Sequence, residues 1–424
     1  MKIEIMQKSG LHYSGLGHIF AFSRKSGVNN MTGEKISFED TSVAFASKSD
    51  EYLQKAQLIF RMMSNNSLVD IGTGLANCAL KVRLPFVKYV IKNTIYSLFV
   101  GGETLHECEA TIDNLGAANV KTILDYSVEG EKTEEGFEAT KEEMFRIIEV
   151  TKTARHIPFV VIKLTGLGSF DVMQKVQAGE ELTDEEQEAY KALKNRVFEI
   201  CSRVNDIDSK ILIDGEESWI QDTIDAIVYD MMARFNKDKV VVYNTYQMYR
   251  HEMYTNLVEA HRKAMEHGYQ LGAKLVRGAY MEKERERAEE HNYQDPIQPD
   301  KAATDRDYNE AVKFCLNNVT TISTVVGTHN ERSSALTAEL MEEKGLAKSD
   351  KRVYFSQLYG MSDNISFTLA SLGYNVSKYV PYGPVRKVMP YLTRRAEENT
   401  SIAGQTSREY NLIKSEIERR RKSK

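Results

Sequence analysis

The chain has 424 residues, of which 42% are hydrophobic and 28% are charged, a composition typical of soluble globular proteins. With 25 glycines and only 7 prolines it is neither collagen-like nor of low complexity, and the scarcity of proline favours long helices. The formal net charge of −5, from 56 basic and 61 acidic residues, excludes a general nucleic-acid-binding protein.

The first quarter of the chain predicts helices and no strand. Residues 1–35 are polar and mixed, and we expect them to be poorly ordered or loosely packed. Within residues 36–117, Ser49 is a candidate N-cap of a helix whose apolar stripe is Leu53, Ala56, Ile59 and Phe60. Pro85 suits the first turn of a second helix, and Thr104–Leu115 predicts a third. These residues form a predicted N-terminal helical region.

From residue 118, short β-rich segments alternate with helical segments such as Ser218–Phe235 and Glu331–Lys344. The predicted strands are Lys121–Asp125, Phe159–Leu164, Lys210–Asp214, Val240–Tyr243, Ala273–Val276, Thr321–Gly327, Arg352–Phe355 and Ser377–Val380. Eight strand–helix units over residues 118–400 predict an α/β fold, namely a distorted TIM-like (β/α)8 barrel. Residues 401–424 predict a C-terminal helix and basic tail. The alternative, a doubly wound open sheet, needs a phosphate-binding loop after its first strand, and none is present.

In a barrel of this kind, functional side chains lie where strands end and loops begin. Those positions carry Asp125, Lys163, Asp214, Asn244, Arg277–Tyr280, Thr328, His329, Leu358 and Tyr379. A single polar residue there is usually the cap of the next helix, but so many together favour a binding site. We expect Lys163 and Asp214 to pair at the same opening, because an unpaired buried lysine is costly.

Two motifs predict sites for anionic ligands. In Lys274–Tyr280, two cations precede Gly278 and Ala279, where the backbone can be approached closely, so a flavin would suit this loop. A barrel-rim turn with a surface arginine is the alternative. Arg394 and Arg395 lie in a helix that begins after Pro384 and could grip one carboxylate, or could belong to a solvated basic face.

Other ligand and compartment signals are weaker. His329 has no second His or Cys at metal-ligand spacing, so a cofactor contact or a helix cap is favoured, and no metal is expected. The four cysteines, Cys78, Cys108, Cys201 and Cys315, form no C-x-x-C pair and predict a reducing compartment. The longest apolar stretch, residues 84–100, contains two lysines and is shorter than the ~20 residues that span a bilayer. We therefore expect a cytoplasmic protein with at most peripheral contact at the inner membrane face.

Several motifs resemble the proline dehydrogenase family and occur in the same order. They are KLVRGAY at Lys274–Tyr280, GTHN at Gly327–Asn330, YFSQLYGM at Tyr354–Met361, YVPYG at Tyr379–Gly383 and YLTRRAEEN at Tyr391–Asn399. The resemblance runs from about Asp125 to Asn399 and is closest to the branch that includes the mitochondrial enzymes. It implies a barrel that holds non-covalent FAD and oxidises L-proline to Δ1-pyrroline-5-carboxylate, with electrons passed to a membrane quinone.

Carried over by position, the resemblance implies roles for individual residues. The proline pocket would contain Lys163, Asp214, Tyr280, Leu358, Tyr379, Arg394 and Arg395, with Lys163, Asp214 and Lys274 as the catalytic residues. FAD would be contacted by Gly215, Asn244, Lys274, Val276, Arg277, Gly278, Ala279, Thr328, His329 and Glu398. Glu129 would close an ion-pair gate with Arg394.

The residue at position 379 bears on substrate choice. Hydroxyproline-oxidising relatives carry a smaller residue there, whereas Tyr379 would crowd a 4-hydroxyl group, so proline is favoured. Hydroxyproline dehydrogenase stays an alternative. So does a non-catalytic barrel that binds a partner through its N-terminal helices, although the charged set at the barrel opening argues against it.

Overall fold

The computed structural model describes residues 36–63, 85–127, 131–401 and 405–424, without the side chains of Pro85, 396–401 and 405–407. The predictions for residues 1–35, for Cys78 and for Glu129 lie outside the described residues, as does the prediction for the side chain of Glu398. Among the described residues, no helix is both long and apolar enough to cross a membrane.

Helices precede the first strand, as predicted. They are α1 (Thr41–Ala44), α2 (Asp50–Met63), α3 (Pro85–Ile91), a π-helical segment (Lys92–Tyr96), α4 (Ser97–Phe99) and α5 (Leu105–Ala117). Ser49 and Thr104 cap α2 and α5, because each side-chain oxygen accepts a backbone N–H three residues further on, at 3.1 Å and 3.2 Å. The helix that begins at Pro85 is interrupted at Thr94, where φ of −118° and ψ of −109° are not helical.

Eight parallel strands close into a barrel in sequential order, which confirms the predicted (β/α)8 fold and excludes the open sheet. The strands are β1 (Val120–Tyr126), β2 (Phe159–Ile162), β3 (Ile211–Ile213), β4 (Val242–Gln247), β5 (Leu271–Val276), β6 (Ile322–Gly327), β7 (Val353–Leu358) and β8 (Val376–Tyr382). β4 and β8 run past their predicted ends, so Asn244 and Tyr379 lie within strands and not at strand ends.

Helices between consecutive strands cover the outside of the barrel, and two further helices follow the last strand. They are α6 (Glu134–Thr153), α7 (Phe170–Ala178), α8 (Asp184–Asp206), α9 (Ser218–Phe235), α10 (Met253–Glu266), α11 (Met281–His291), α12 (Lys301–Asn317), α13 (Glu331–Glu343), α14 (Asp363–Ser371), α15 (Val385–Ser401) and α16 (Gln405–Lys422). In α9, Ile220, Ile224 and Ile227 recur at helical spacing and are buried against the strands.

The barrel interior is a separate apolar cluster. Its side chains come from Ile123, Phe159, Val161, Leu212, Val240, Tyr243, Val325, Tyr354 and Tyr379. Phe159 makes edge-to-face contacts with Tyr243 and Tyr354, with ring centroids 5.5 Å and 4.9 Å apart. Because side chains alternate along a strand, the residue two positions after an inward residue also faces inward. That alternation directs Asp125, Lys163 and Asp214 into the carboxyl end of the barrel.

The C-terminal helix α16 packs against the N-terminal helices. Leu412, Ile413 and Ile417 share an apolar cluster with residues of α2. At its basic end, Arg420 pairs with Asp50 at 2.8 Å and donates to the backbone carbonyls of Lys48 and Phe45. Part of the predicted basic tail is therefore committed to a contact within the protein.

Candidate active site

A buried ionic cluster lies at the carboxyl end of the barrel. Lys274 Nζ is 2.5 Å from Asp214 Oδ1, and Lys163 Nζ is 3.0 Å from Asp214 Oδ2. Lys163 Nζ is also 3.3 Å from Asp125 Oδ1. The hydroxyl of Tyr379 donates to Asp214 Oδ1 at 2.5 Å and accepts from Lys274 at 3.0 Å. The structure thus brings the three predicted catalytic residues together with Tyr379.

The ionisation states within this cluster follow from its charges. Burial alone would raise the pKa of Asp214, but the adjacent ammonium groups of Lys274 and Lys163, with the hydrogen bond from Tyr379, hold it well below its usual range. Burial, and the nearby carboxylates of Asp214 and Asp125, raise the pKa of Tyr379 well above its ordinary value. At neutral pH Tyr379 is therefore a neutral donor to an ionised Asp214.

The loop after β5 fixes a further cation at the carboxyl end of that strand. Arg277 Nε is 2.8 Å from Asp305, and its terminal nitrogens are 2.6 Å from Thr328 Oγ1 and 3.1 Å from Ser333 Oγ. Its guanidinium also stacks on Tyr308, with 4.3 Å to the ring centroid. These contacts hold the guanidinium in one place, next to the hydroxyl of a second predicted cofactor contact, Thr328.

The glycines of this region are required by the space around them. Gly278 has φ of 139°, and a Cβ there would lie 2.5 Å from the Tyr249 ring. Gly215, directly after Asp214, leaves only 3.1 Å between an added Cβ and the side chain of Gln247. Val276 and Ala279 lie on either side of Arg277 and Gly278, so the four predicted FAD-contact residues of this segment are consecutive in the chain.

The charges of the two predicted clamp arginines act on other predicted site residues. Burial raises the pKa of Tyr280 well above normal, while the charges of Lys163 and Arg394 oppose that shift. Burial and the positive charges of Lys378, Arg395 and Arg277 lower the pKa of His329 to about 3. Arg395 is 6% exposed and stacks on Tyr391, so the alternative of a solvated basic face is wrong for this residue.

Leu358 also lies at this opening. It is the last residue of β7, pairs in register with Tyr379, and packs against the interior cluster.

The structure does not bring Asn244 to the opening. Its side-chain amide donates to Asp225 of α9 at 2.9 Å, on the outer side of the sheet. Because β4 continues to Gln247 and alternate side chains face inward, Thr245 and Gln247 occupy the inward positions. Gln247 donates to the carbonyl of Glu216 at 2.7 Å, beside Gly215. The amide that faces the opening is that of Gln247, which the motif comparison missed.

Glu216 is a second residue that sequence reasoning missed. Its carboxylate is 3% exposed, accepts the backbone N–H of Thr165 at 3.1 Å, and accepts the hydroxyl of the same residue. Burial raises the pKa of Glu216 to about 7, although the Thr165 hydrogen bonds oppose the shift. The signal in the sequence was its position two residues after Asp214, at the end of an apolar strand.

A closed β/α barrel with paired buried charges and fixed cations at its carboxyl end defines a TIM-barrel enzyme whose active site lies at that opening. The family model described as Proline dehydrogenase matches residues 108–408. The chain belongs to the proline dehydrogenase family.

Relatives that are 30–34% identical cover most of this chain. Carbapenem antibiotics biosynthesis protein CarD of Pectobacterium carotovorum subsp. carotovorum is 34% identical over 77% of this chain and 84% of its own length. Proline dehydrogenase 1, mitochondrial, of Dictyostelium discoideum is 30% identical over 92% of this chain and 76% of its own length. The human protein of the same name is 32% identical over 87% of this chain and 57% of its own length.

A solved structure shares the fold. Proline utilization A from Bdellovibrio bacteriovorus, inactivated by N-propargylglycine, matches with a TM-score of 0.66 at 20% identity, over 85% of this chain. This chain spans 38% of that protein.

Proposed function

We propose that this protein is a FAD-dependent proline dehydrogenase, which oxidises L-proline to Δ1-pyrroline-5-carboxylate and passes the electrons to a quinone. The observation that carries the proposal is the cluster of Lys163, Asp214, Lys274 and Tyr379 inside the barrel opening of a member of this family. Burying two ammonium groups and their carboxylates has a large desolvation cost, which a scaffold would have no reason to bear. The same cost argues against the non-catalytic barrel.

The substrate carboxylate would be bound by Arg394 and Arg395. A guanidinium offers two parallel N–H donors that match a carboxylate, which a lysine cannot do. The charge of Arg394 acts on Tyr280 and that of Arg395 acts on His329, so both belong electrostatically to the opening. Leu358 and the Tyr379 ring supply an apolar wall for the pyrrolidine ring. These contacts would hold the proline carbon that loses the hydride in one position. Fixing the reacting atom in this way lowers the entropic cost of reaching the transition state.

The residues around the end of β5 fit FAD. Arg277 and Thr328 offer a fixed cation and a hydroxyl to phosphate oxygens. The ammonium group of Lys274 would stabilise negative charge on a reduced flavin. When bound, FAD would supply the acceptor for the hydride that leaves the substrate carbon.

The substrate amine must be neutral before hydride leaves, because its nitrogen lone pair assists the departure. Lys163 and Asp214 are joined by a hydrogen bond, so neither is assigned alone as the acid or the base. Glu216, whose pKa burial raises to about 7, is a third group able to hold a proton close to Lys163. We propose that these three groups together set the proton balance at the amine.

Proline is the favoured substrate over hydroxyproline. The Tyr379 hydroxyl is bound by both Asp214 and Lys274, and the side chain is buried. A ring anchored in this way cannot swing aside to admit a 4-hydroxyl group. Comparing kcat/KM for the two imino acids decides between them.

The electron acceptor and location of the protein belong to the proposal as well. We propose a quinone as acceptor, peripheral contact with a membrane surface, and a cytoplasmic location. These three features come from the family resemblance and from the composition of the chain.

An absorbance spectrum tests the proposal. The purified protein, supplied with FAD, should be yellow and should bleach when L-proline is added under anaerobic conditions. D-proline is the matched control, because it has the same charge and ring with the opposite configuration. A protein that takes up no FAD refutes the proposal, whereas faster bleaching by hydroxyproline than by proline supports the hydroxyproline alternative.

A further inference from the structure

We propose that Glu409 of α16 fixes, through Ser362, which ring nitrogen of His329 carries the proton. The inference deepens the proposed function and rests on it, because His329 is one of the predicted FAD contacts. Glu409 lies one residue beyond the segment that the family model matches, which ends at 408.

The geometry is a chain of three hydrogen-bonded groups. The backbone N–H of Ser362 donates to Glu409 Oε1 at 2.6 Å, and the Ser362 hydroxyl donates to the same oxygen at 3.3 Å. On the other side, Ser362 Oγ is 2.9 Å from His329 Nδ1. Both Ser362 and Glu409 are buried, at 1% and 3% exposure, so water does not compete for these groups.

The proton count along this chain selects one tautomer. A serine hydroxyl has a single hydrogen, and an ionised carboxylate can only accept. When the Ser362 hydrogen is given to Glu409, His329 Nδ1 must bring its own hydrogen to Ser362 Oγ. Nε2 then keeps a free lone pair, so His329 would offer a bound cofactor a hydrogen-bond acceptor.

His329 stays neutral while this choice is made. Burial and the cations Lys378, Arg395 and Arg277 lower its pKa to about 3. His329 therefore gains no proton near neutral pH, and only the nitrogen that carries its proton changes.

The charged groups around Glu409 allow its own protonation to shift. Lys378, which is fully buried, lies 2.8 Å from Asp363, and Lys48 lies 3.4 Å from the same carboxylate. Burial and the negative charge of Asp363 raise the pKa of Glu409 to about 7. The charge of Lys378 and the hydrogen bonds from Ser362 oppose this shift. A protonated Glu409 no longer attracts the serine hydrogen, which then turns to Nδ1 and moves the histidine proton to Nε2.

Nitrogen-15 NMR of the full-length holoprotein, labelled in its histidines, tests this inference. His329→Asn assigns the resonances among the 9 histidines. We expect a protonated Nδ1 at alkaline pH and a shift toward protonated Nε2 as the pH falls through neutrality. In Glu409→Gln, whose amide is a weaker acceptor, the Nε2 form should gain population at alkaline pH.

Glu416→Gln is the matched control. Glu416 lies on the same helix, has a side chain with 0% exposure, and pairs with Arg419 and Arg420 at 2.7 Å, away from His329. This variant should leave the tautomer ratio unchanged. If Glu409→Gln does not fold, Ser362→Ala removes the hydroxyl while retaining the carboxylate, and should abolish the pH dependence of the tautomer.

Two results would overturn the inference. One is the same His329 tautomer ratio in the wild type and in a folded Glu409→Gln variant, and the other is a pH-dependent ratio that persists in Ser362→Ala. The FAD content and proline bleaching of the same samples are scored separately. Loss of both refutes the proposed function, while the tautomer measurement stands on the protein alone.

Discussion

Replacing Asp214 by asparagine tests whether the ionic cluster is desolvated. The substitution keeps the shape of the side chain but removes the charge that faces Lys274 at 2.5 Å and Lys163 at 3.0 Å. Lys163 retains Asp125 at 3.3 Å, whereas Lys274 keeps, among the residues that the structure describes, only the Tyr379 hydroxyl. The variant therefore leaves one ammonium group, 8% exposed, without a countercharge.

Removing one partner of a buried ion pair costs about 3–5 kcal/mol. An unfolding entropy of about 2.1 cal/mol/K per residue gives ~0.9 kcal/mol/K for this chain, so the melting temperature should fall by about 3–6 °C. Asp208→Asn is the control, because Asp208 pairs with Lys239 at 83% side-chain exposure, and such surface pairs contribute about 0–1 kcal/mol. Thermal unfolding of both variants by circular dichroism at pH 7 gives the comparison.

The pH dependence of this difference has a definite sign. The folded pKa of Asp214 lies below its unfolded value of about 3.9, so the advantage of the wild type is complete above that pH and is lost as the pH falls through the folded pKa. A melting temperature for Asp214→Asn that matches Asp208→Asn at pH 7 would show that water already screens the cluster, and would refute the reasoning.

Further predictions concern the glycine turn, the buried acid and the substrate pocket. Gly278→Ala should destabilise the fold more than Gly345→Ala, which is measured by comparing denaturant midpoints. Gly345 has φ of 65° but open space around it, so its replacement should cost only the backbone strain of about 1–2 kcal/mol. Wild type should lose stability relative to Glu216→Gln as the pH rises from about 4 to about 7, because the folded pKa is raised; equal denaturation curves at both pH values contradict this. Arg395→Ala should raise KM for proline about tenfold or more while FAD content stays unchanged, and loss of both in parallel would remove the clamp assignment. Tyr379→Ser should raise kcat/KM for hydroxyproline relative to proline, and an unchanged ratio would contradict the role of this ring.

Local sequence signals predicted the helices and the number of strands. Ser49 has a preference for helix N-termini that needs no distant partner, and it caps the helix that it was expected to cap. The helix predicted over Thr104–Leu115 is present and begins after Thr104, which caps it. The alternation of β-rich and helical segments gave eight strands in the right order because it reflects burial on two faces of each strand. Motif resemblance pointed to Lys163, Asp214, Lys274 and Tyr379, which the fold brings into one cluster.

Strand ends and side-chain directions were not predictable in this way. β4 continues to Gln247 because its backbone pairs with β5, a partner that local propensity does not contain. Because β4 extends beyond Tyr243, Asn244 lies on the outer face of the strand and contacts α9, while Gln247 lies at the opening. For the same reason, the burial of Glu216 and Glu409 was invisible, since each is covered by elements far away along the chain.

The sequence by itself determined the periodicity of the elements, the helix caps, and the residue types that a charged ligand needs. Only the tertiary structure decided which of these residues meet. Asp214 and Tyr379 are 165 positions apart and touch only because the strands close into a ring. Their ionisation depends on charges and desolvation that exist only after closure, since an electric field is a property of positions in space and not of order along a chain.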